Sequence, residues 1–332
     1  MNNAIQIISN KEVESILLGK ELQIIELVRQ CYAAHANGQS SLPFSTFLRF
    51  PTHEKNRIIG LPAYIHLGDK ELAGMKWVAS FPDNIRHNLN RASATLILNR
   101  ITTGRPYAIL EASHINTQRT AASAILAVQV MSRIDINSIA IVGCGPVNQD
   151  VLKYAKAAFP GLRTVHIYDV DEARSKIFAE KVKLHYPALH LDTFLDLKQA
   201  VKGQYLVSIA TNTAVPYIKS PDLFEKECIL LHISLRDLSP SVINKGWNIV
   251  DDLQHVDREN TSVDLTHRQL GGTEFVKASI GEILAGEVSP ESAQGRIIYS
   301  PFGLGILDIA VGDFVYQEAA RHNIGEQIDN FW

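Results

Sequence analysis

Residues 138–169, SIAIVGCGPVNQDVLKYAKAAFPGLRTVHIYD, constrain this chain more than any other stretch. A short apolar run, 139–142, has the length of a buried strand and breaks at Gly143, Cys144 and Gly145. An amphipathic run from Pro146 to Ala158 follows, stopped by Pro160 and Gly161. A second apolar run, 164–168, ends on Asp169. Strand, glycine turn, helix, strand and acid, in that order, are the first unit of a dinucleotide-binding fold. Gly143 lets the chain turn off the strand, and Gly145 lets backbone approach a pyrophosphate. The start of the helix, at Pro146, Val147 and Asn148, offers free N–H groups to phosphate. Asp169 stands where a carboxylate accepts both ribose hydroxyls and repels a 2′-phosphate, which favours NAD over NADP. The third glycine position is Asn148, a slot that governs helix–strand packing.

At 332 residues the chain has room for two domains. From residue 138 to about 300 strand and helix patterns alternate, as a parallel-sheet domain requires. Later strands are read at 205–210, 228–234, 248–250 and 296–299, with helices at 171–185 and 275–284. The front of the chain differs. A strand at 5–8, a helix from Ser9 or Asn10 to about Leu18 and a helix at 21–36 precede two hairpin patterns. In the hairpins, strands 57–65 and 71–79 flank Gly68-Asp69, and strands 94–99 and 106–112 flank a turn with Gly104. A helix at 113–134 has an apolar middle suited to burial between domains, and a helix at 305–322 returns to cover the first domain. The expected architecture is α/β. A Rossmann-type parallel sheet occupies 119–304, and an antiparallel α+β substrate domain occupies 1–118, completed by 305–332.

Lys plus Arg number 32 against 35 Asp plus Glu, so nothing in the charge balance suggests nucleic acid or an anionic membrane as a partner. No run approaches a membrane span, and the first fifteen residues lack the basic and apolar regions of a signal peptide. Cys31, Cys144 and Cys228 are isolated and odd in number, which fits a reducing cytoplasm. The 12 histidines form no ligand cluster, so no metal is expected.

Four cations stand at ends of elements in or beside the first domain: Arg49, Lys76, Arg91 and Arg119. Lys76 interrupts an apolar strand pattern and is costly there unless paired. Arg119 precedes Thr120, where an apolar helical stretch begins, and a helix start is an anion site. Together the four suit a small substrate with several carboxylates; singly, each could instead reach solvent. Asp237 follows a strand at the edge where such folds hold ligands and could take a proton, or could simply cap the next turn. Thr211 follows the strand at 205–210 and is placed to line the cofactor.

Several segments carry a resemblance: GMKWVASFPDNIRHNLNRASATLILN, TQRTAASAILA, IVGCGPVNQDVL, RENTSVDLTHRQLGGTEF and SPFGLGILDIAVGDFVYQEA. Through them nearly the whole chain resembles the ornithine cyclodeaminase/mu-crystallin family, most closely its 2,3-diaminopropionate-biosynthesis branch. The resemblance implies that Lys76 is the active-site lysine, that Arg119 holds a substrate carboxylate with Thr120 near the cofactor, and that Asp237 is the catalytic aspartate. It also implies a homodimer formed through the first domain, and Asn148 matches what the family carries at the third glycine position. The branch implies NAD-dependent oxidation and hydrolysis of N-(2-amino-2-carboxyethyl)-L-glutamate to 2-oxoglutarate and L-2,3-diaminopropionate, serving siderophore or peptide natural-product synthesis. Arg49, Arg91 and Arg119 would bind its carboxylates. Other members imply a cyclodeaminase that recycles NAD within one cycle, or a nicotinamide-binding protein without turnover. The wider family often carries Arg or Lys where this chain has Ser45, and the nearest cation here is Arg49.

Overall fold

The computed structural model describes residues 4–332. It divides into two compact units, Met1–Arg119 with Leu304–Trp332, and Thr120–Gly303.

The first unit is built on one sheet. Its strands in chain order are β1 (Ile5–Ile8), β2 (Ser40–Ser41), β3 (Thr46–Phe50), β4 (His53–Leu67), β5 (Lys70–Ser80), β6 (Ala92–Asn99) and β7 (Pro106–Glu111). The hairpin strands are antiparallel, with β5 between β4 and β6. The sheet is not antiparallel throughout, because β1 runs parallel to β7, while a C-terminal strand, Glu326–Ile328, pairs antiparallel with β1. The segment β3, where no strand is read from sequence, pairs with β4. The expected helices form at Asn10–Leu17 and Glu21–Ala36, the second with Ile24, Ile25, Val28, Cys31 and Tyr32 buried. The apolar helix Gly305–His322 packs on the sheet of this unit. Two glycines permit that approach. A Cβ at Gly305 would come within 3.2 Å of the Ala63 Cβ, and one at Gly312 within 2.1 Å of Leu96 Cδ2.

The second unit is an all-parallel sheet. Its strands are β8 (Ser138–Val142), β9 (Thr164–Tyr168), β10 (His190–Phe194), β11 (Leu206–Ile209), β12 (Ile229–His232), β13 (Trp247–Val250), β14 (Val276–Ser279) and β15 (Ile297–Ser300). Their order is β10-β9-β8-β11-β12-β15-β13-β14. The chain therefore leaves β8 in one direction for β9 and β10 and reverses to β11 and β12. The carboxyl ends of β8 and β11 are the switch point where such sheets hold ligands. Ala140, Val142, Val207, Ile209 and Leu230 are buried in its core, as the continuous apolar runs of a sheet covered on both faces require.

The helix expected at 275–284 does not form over that length. Val276–Ser279 is a strand paired with β13, and the helix is only Ile280–Leu284. The capping box formed by Ser279 and Glu282 fixes that start, and VKAS before it extends. The strand β10 was not read from sequence, since HLDTF is half polar and its burial comes from pairing with β9.

Candidate functional site

In the second unit, Gly143 follows β8 with φ +92, the left-handed region that glycine enters without strain. A Cβ there would come within 2.5 Å of the Ala210 carbonyl oxygen, so the position also admits backbone from β11. Gly145 caps the helix Pro146–Ala158 without a side-chain hydrogen bond. A Cβ on Gly145 would meet nothing nearer than the Arg174 guanidinium at 4.0 Å, which leaves the helix start open to a phosphate. Pro146 is exposed and Val147 half-buried at that helix start. Asn148 is turned inward instead. Its Nδ2 donates to the carbonyls of Val142 at 2.9 Å and Gly143 at 2.7 Å, and its Oδ1 accepts from Ser208 Oγ at 2.6 Å. Its side chain clamps the turn to the sheet and does not face a ligand.

Asp169 ends β9 and is fixed by the turn. Its Oδ2 accepts from the Cys144 backbone N–H at 2.7 Å, and its Oδ1 from that of Asp171 at 3.0 Å. A carboxylate has about four acceptor directions, so capacity for two ribose hydroxyls remains. The Cys144 thiol is pushed up to about 12 by burial and by Asp169, which leaves it protonated and inert. Thr211, at the end of β11, lies against Gly143: its Cγ2 would be 3.3 Å from a Cβ there. Its hydroxyl is not directed at a cofactor but donates to Asp237 Oδ1. Thr120, half-buried on the helix Ser113–Met131, opens the second unit.

Asp237 is fully buried and heavily supported. Ser234 Oγ donates to its second oxygen, and its own backbone N–H donates to His232 Nε2 at 3.2 Å. His232 Nε2 lies 3.5 Å from Oδ2, and Nδ1 is 3.1 Å from Ser300 Oγ. Burial pushes the carboxyl up, but His232, Ser234 and Thr211 together outweigh it and hold Asp237 below the usual carboxylate range. The backbone N–H groups of Tyr217 and Ile218 donate to the Asp237 carbonyl at 3.1 and 3.0 Å, and Tyr217 is 41% exposed. The loop is strained. Leu235, between Ser234 and Asp237, has φ +66, a conformation that costs roughly 1–2 kcal/mol for a residue with a Cβ. The backbone N–H of Ser262 holds its carbonyl at 2.7 Å. Strain of this kind persists where the surroundings over-determine a functional loop.

In the first unit, Lys76 is 2% exposed on β5. Its Nζ donates to Asp308 Oδ2 at 2.7 Å and to Asn116 Oδ1 at 2.8 Å. Arg119 closes the cluster, with Nε on Asp308 Oδ1 at 3.1 Å and a terminal nitrogen on Asn116 Oδ1 at 2.8 Å. Two cations thus share one buried carboxylate, and the cluster carries one surplus positive charge. Burial pulls Lys76 down to about 8, with Arg119 adding to the effect and Asp308 opposing it. Arg119 does not stand before a helix start, contrary to the expectation from sequence. The helix begins at Ser113, so Arg119 and Thr120 lie within it and Arg119 acts through its guanidinium alone. Arg49 and Arg91 are not among the described contacts of this cluster. Arg49 is exposed on β3 with its guanidinium 5.4 Å from the Phe47 ring centroid, and Arg91 donates to Ser80 Oγ at 3.4 Å.

Asp308, Asn116, His232, Ser234 and Tyr217 were not read from sequence. Asp308 carries a visible signal, an acid inside the apolar run GILDIAV, and Asn116 precedes Arg119 by one helical turn. Among the described residues no group of three or more His, Cys, Asp or Glu side chains could hold a metal, and no helix is long and apolar enough to cross a membrane.

The profile of the ornithine cyclodeaminase/mu-crystallin family matches residues 4–323. The chain is 27% identical to the N-((2S)-2-amino-2-carboxyethyl)-L-glutamate dehydrogenase of Staphylococcus aureus, over 99% of each chain. It is 28% identical to the alanine dehydrogenase of Archaeoglobus fulgidus, over 98% of each. Among solved structures, an archaeal alanine dehydrogenase dimer with bound NAD superposes with TM-score 0.87 at 26% identity, covering 99% of this chain and 100% of that one. The Delta(1)-pyrroline-2-carboxylate reductase of Thermococcus litoralis, solved with NADH and L-proline, has the same fold, with TM-score 0.90 at 22% identity over 98% of this chain and 100% of that one.

Proposed function

This chain belongs to the ornithine cyclodeaminase/mu-crystallin family, and on that premise we propose that it is an NAD-dependent dehydrogenase of a carboxylate-rich secondary amine. The substrate we assign is N-(2-amino-2-carboxyethyl)-L-glutamate, on which the Staphylococcus aureus relative is named as acting. The observation that carries the reading is the buried cluster of Lys76, Arg119 and Asp308, whose surplus charge asks for one carboxylate.

The second unit holds NAD through Gly143, Gly145, Pro146 and Val147 at the phosphates and Asp169 at the ribose, with Thr120 and Thr211 as further lining. When bound, the nicotinamide accepts a hydride from the glutamate α-carbon. Arg119 and Lys76 orient the α-carboxylate of that carbon, while Arg49 and Arg91 take the remaining carboxylates. The amine nitrogen gains positive character as hydride leaves. Asp237, anionic at neutral pH, stabilises that charge and takes the nitrogen's proton, either directly or through the hydroxyls of Thr211 and Ser234. Asp237 releases that proton to solvent, water adds to the C=N carbon, and Asp237 accepts a proton from the water and passes it to the departing nitrogen. Collapse of the adduct breaks the C–N bond and gives 2-oxoglutarate and L-2,3-diaminopropionate.

Incubating the protein with NAD+ and this amine, and reading NADH and 2-oxoglutarate together, tests the reading. Equal amounts of both are expected. Ammonia release without net NADH would replace it with a cyclodeaminase, and NAD binding without any product would leave a nicotinamide-binding protein.

Lys76 gives the pH dependence. Its charge is present below about 8 and lost above. Binding of butyrate, an unreactive carboxylate, is therefore expected to weaken as pH rises through that value. A calorimetric profile flat across the range would remove Lys76 from carboxylate binding.

We also assign a homodimer through the sheet face of the first unit opposite Lys76. Leu48 and Trp77 are 49% and 44% exposed there, an apolar surface of the kind that marks an interface. Sedimentation as a monomer at micromolar concentration would sink this assignment.

A further inference from the structure

In the second unit the helix Glu172–His185 follows β9 and the acid that ends it, and its first turn carries a charge that the helix does not call for. Arg174 is its third residue. A cation there meets the positive end of the helix dipole, where helix stability favours an acid such as Glu172. Positions that break a local rule without helping their own element concentrate at functional sites.

The side chain of Arg174 reaches back over the glycine turn. Its Nη2 is the one atom within reach of a Cβ placed on Gly145, at 4.0 Å. Its Nε is 3.8 Å from Asp169 Oδ2, and its charge acts on the Cys144 thiol in the same turn. The guanidinium therefore stands beside both the helix start that suits phosphates and the acid that suits the ribose. The acids around it are engaged elsewhere. Asp169 accepts from the backbone N–H groups of Cys144 and Asp171, Asp171 accepts from that of Ala173 at 3.0 Å, and Glu172 pairs with Lys176 at 2.7 Å. Among the described residues Arg174 has one ion pair, the contact to Asp169, and 3.8 Å is too long for a hydrogen bond. Its side chain is 43% exposed, so the fork of five N–H donors faces solvent at the mouth of the turn.

We propose that Arg174 is a further cofactor-binding residue, which closes over the diphosphate of an adenine dinucleotide seated at the start of the helix Pro146–Ala158. The diphosphate then lies between the backbone N–H groups of that helix start on one side and the guanidinium on the other. The helix start supplies only partial charges, and Arg174 adds a full one. A planar guanidinium matches two phosphate oxygens with parallel hydrogen bonds, which a lysine at the same place does not. Asp169 holds the guanidinium near the turn before the nucleotide arrives, through a contact loose enough to be exchanged for phosphate. The ligand class is an adenosine bearing a 5′-diphosphate. The inference deepens the NAD reading and rests on it for the seat of the nucleotide. The binding test below does not depend on turnover.

The probes are ADP, adenosine and adenosine 2′-monophosphate, titrated calorimetrically into wild type, Arg174→Gln, Arg174→Lys and Lys176→Gln at low and high salt. Arg174→Gln is expected to weaken ADP about tenfold, the ratio one charge-assisted contact supplies, and to leave adenosine affinity unchanged. Arg174→Lys is expected to recover part of the loss. Lys176→Gln removes the same charge from the same helix two residues on, and is expected to bind ADP as wild type does. The ADP deficit of Arg174→Gln should shrink at high salt, because an exposed charge is screened and a packing defect is not. Unchanged adenosine affinity also shows that the variant is folded around Asp169. Wild-type ADP affinity in Arg174→Gln overturns the diphosphate contact. So does a loss shared equally by adenosine, a loss confined to the 2′-monophosphate, or an equal ADP loss in Lys176→Gln. In each of these the nucleotide seat itself stands. A wild-type protein that binds none of the three probes overturns the NAD reading together with the contact.

Discussion

An Asp237→Asn protein is expected to bind NAD+ as wild type does and to turn over about a thousandfold more slowly, within the range that a positioned proton acceptor contributes. The carboxylate is fully buried, accepts hydroxyl hydrogen bonds from Thr211 and Ser234 and stays charged because His232 and those hydroxyls hold it down. Asparagine has the same shape. Serine and threonine hydroxyls rotate between donating and accepting, so both contacts survive the exchange and the fold with them. Only the charge and the proton capacity are lost. Turnover and NAD+ affinity measured on the same preparation separate the two effects. A variant with near wild-type turnover would place Asp237 outside the mechanism, and one that no longer bound NAD+ would make it structural. A pH profile adds a readout that a packing role would not move: the acid limb set by Asp237 in wild type should vanish in the variant.

Asp308→Asn is expected to cost about 3–5 kcal/mol of folding stability, the range for removing one partner of a buried ion pair. Asp308 is fully buried and answers both Lys76 and Arg119. Without its charge two cations face each other with little access to water. Asp308 is what raises the Lys76 value, so in the variant Lys76 loses its proton below about 8, and the loss should shrink as pH rises towards about 8, where wild-type Lys76 also becomes neutral. Glu318, on the same helix, provides the control. Its partner Arg321 is 71% exposed, and Glu318→Gln should cost no more than about 1 kcal/mol. Urea midpoints of the three proteins give the comparison. Equal losses in the two variants would mean that the Lys76 cluster is not held by its charge.

The elements that local chemistry specifies were legible in the chain. The helix Pro146–Ala158 begins at the expected proline, and Glu21–Ala36 buries the expected face. The hairpin turns fall at Gly68 and Gly104, both at positive φ. Each rests on residues a few positions apart: a turn that demands glycine, a repeat that matches one secondary structure, a proline that ends a helix. The parallel strand β14 was lost because VKAS adjoins a capping box, and nothing within the segment reveals the neighbouring strand that extends it.

The site divides in the same way. Lys76, Arg119 and Asp237 stood out in sequence because a charge in an apolar pattern, or an acid after a buried strand, is locally anomalous. The groups that answer them did not. Asp308 is 232 residues from Lys76 along the chain, and Ser300 is 68 from His232. Which acid meets which lysine is decided when a helix docks on a sheet, and the helix Gly305–His322 docks where its glycines let it approach. The pairing of Arg49 with Arg57 is likewise a product of register, set by how β3 and β4 pair and not by their spacing in sequence. By itself the sequence determined the nucleotide-type turn, the two kinds of sheet and the charges that had to be accounted for. Only the tertiary structure decided how those charges are balanced, because long-range pairing is set by the packing of whole elements and leaves no periodic trace in the residues that form it.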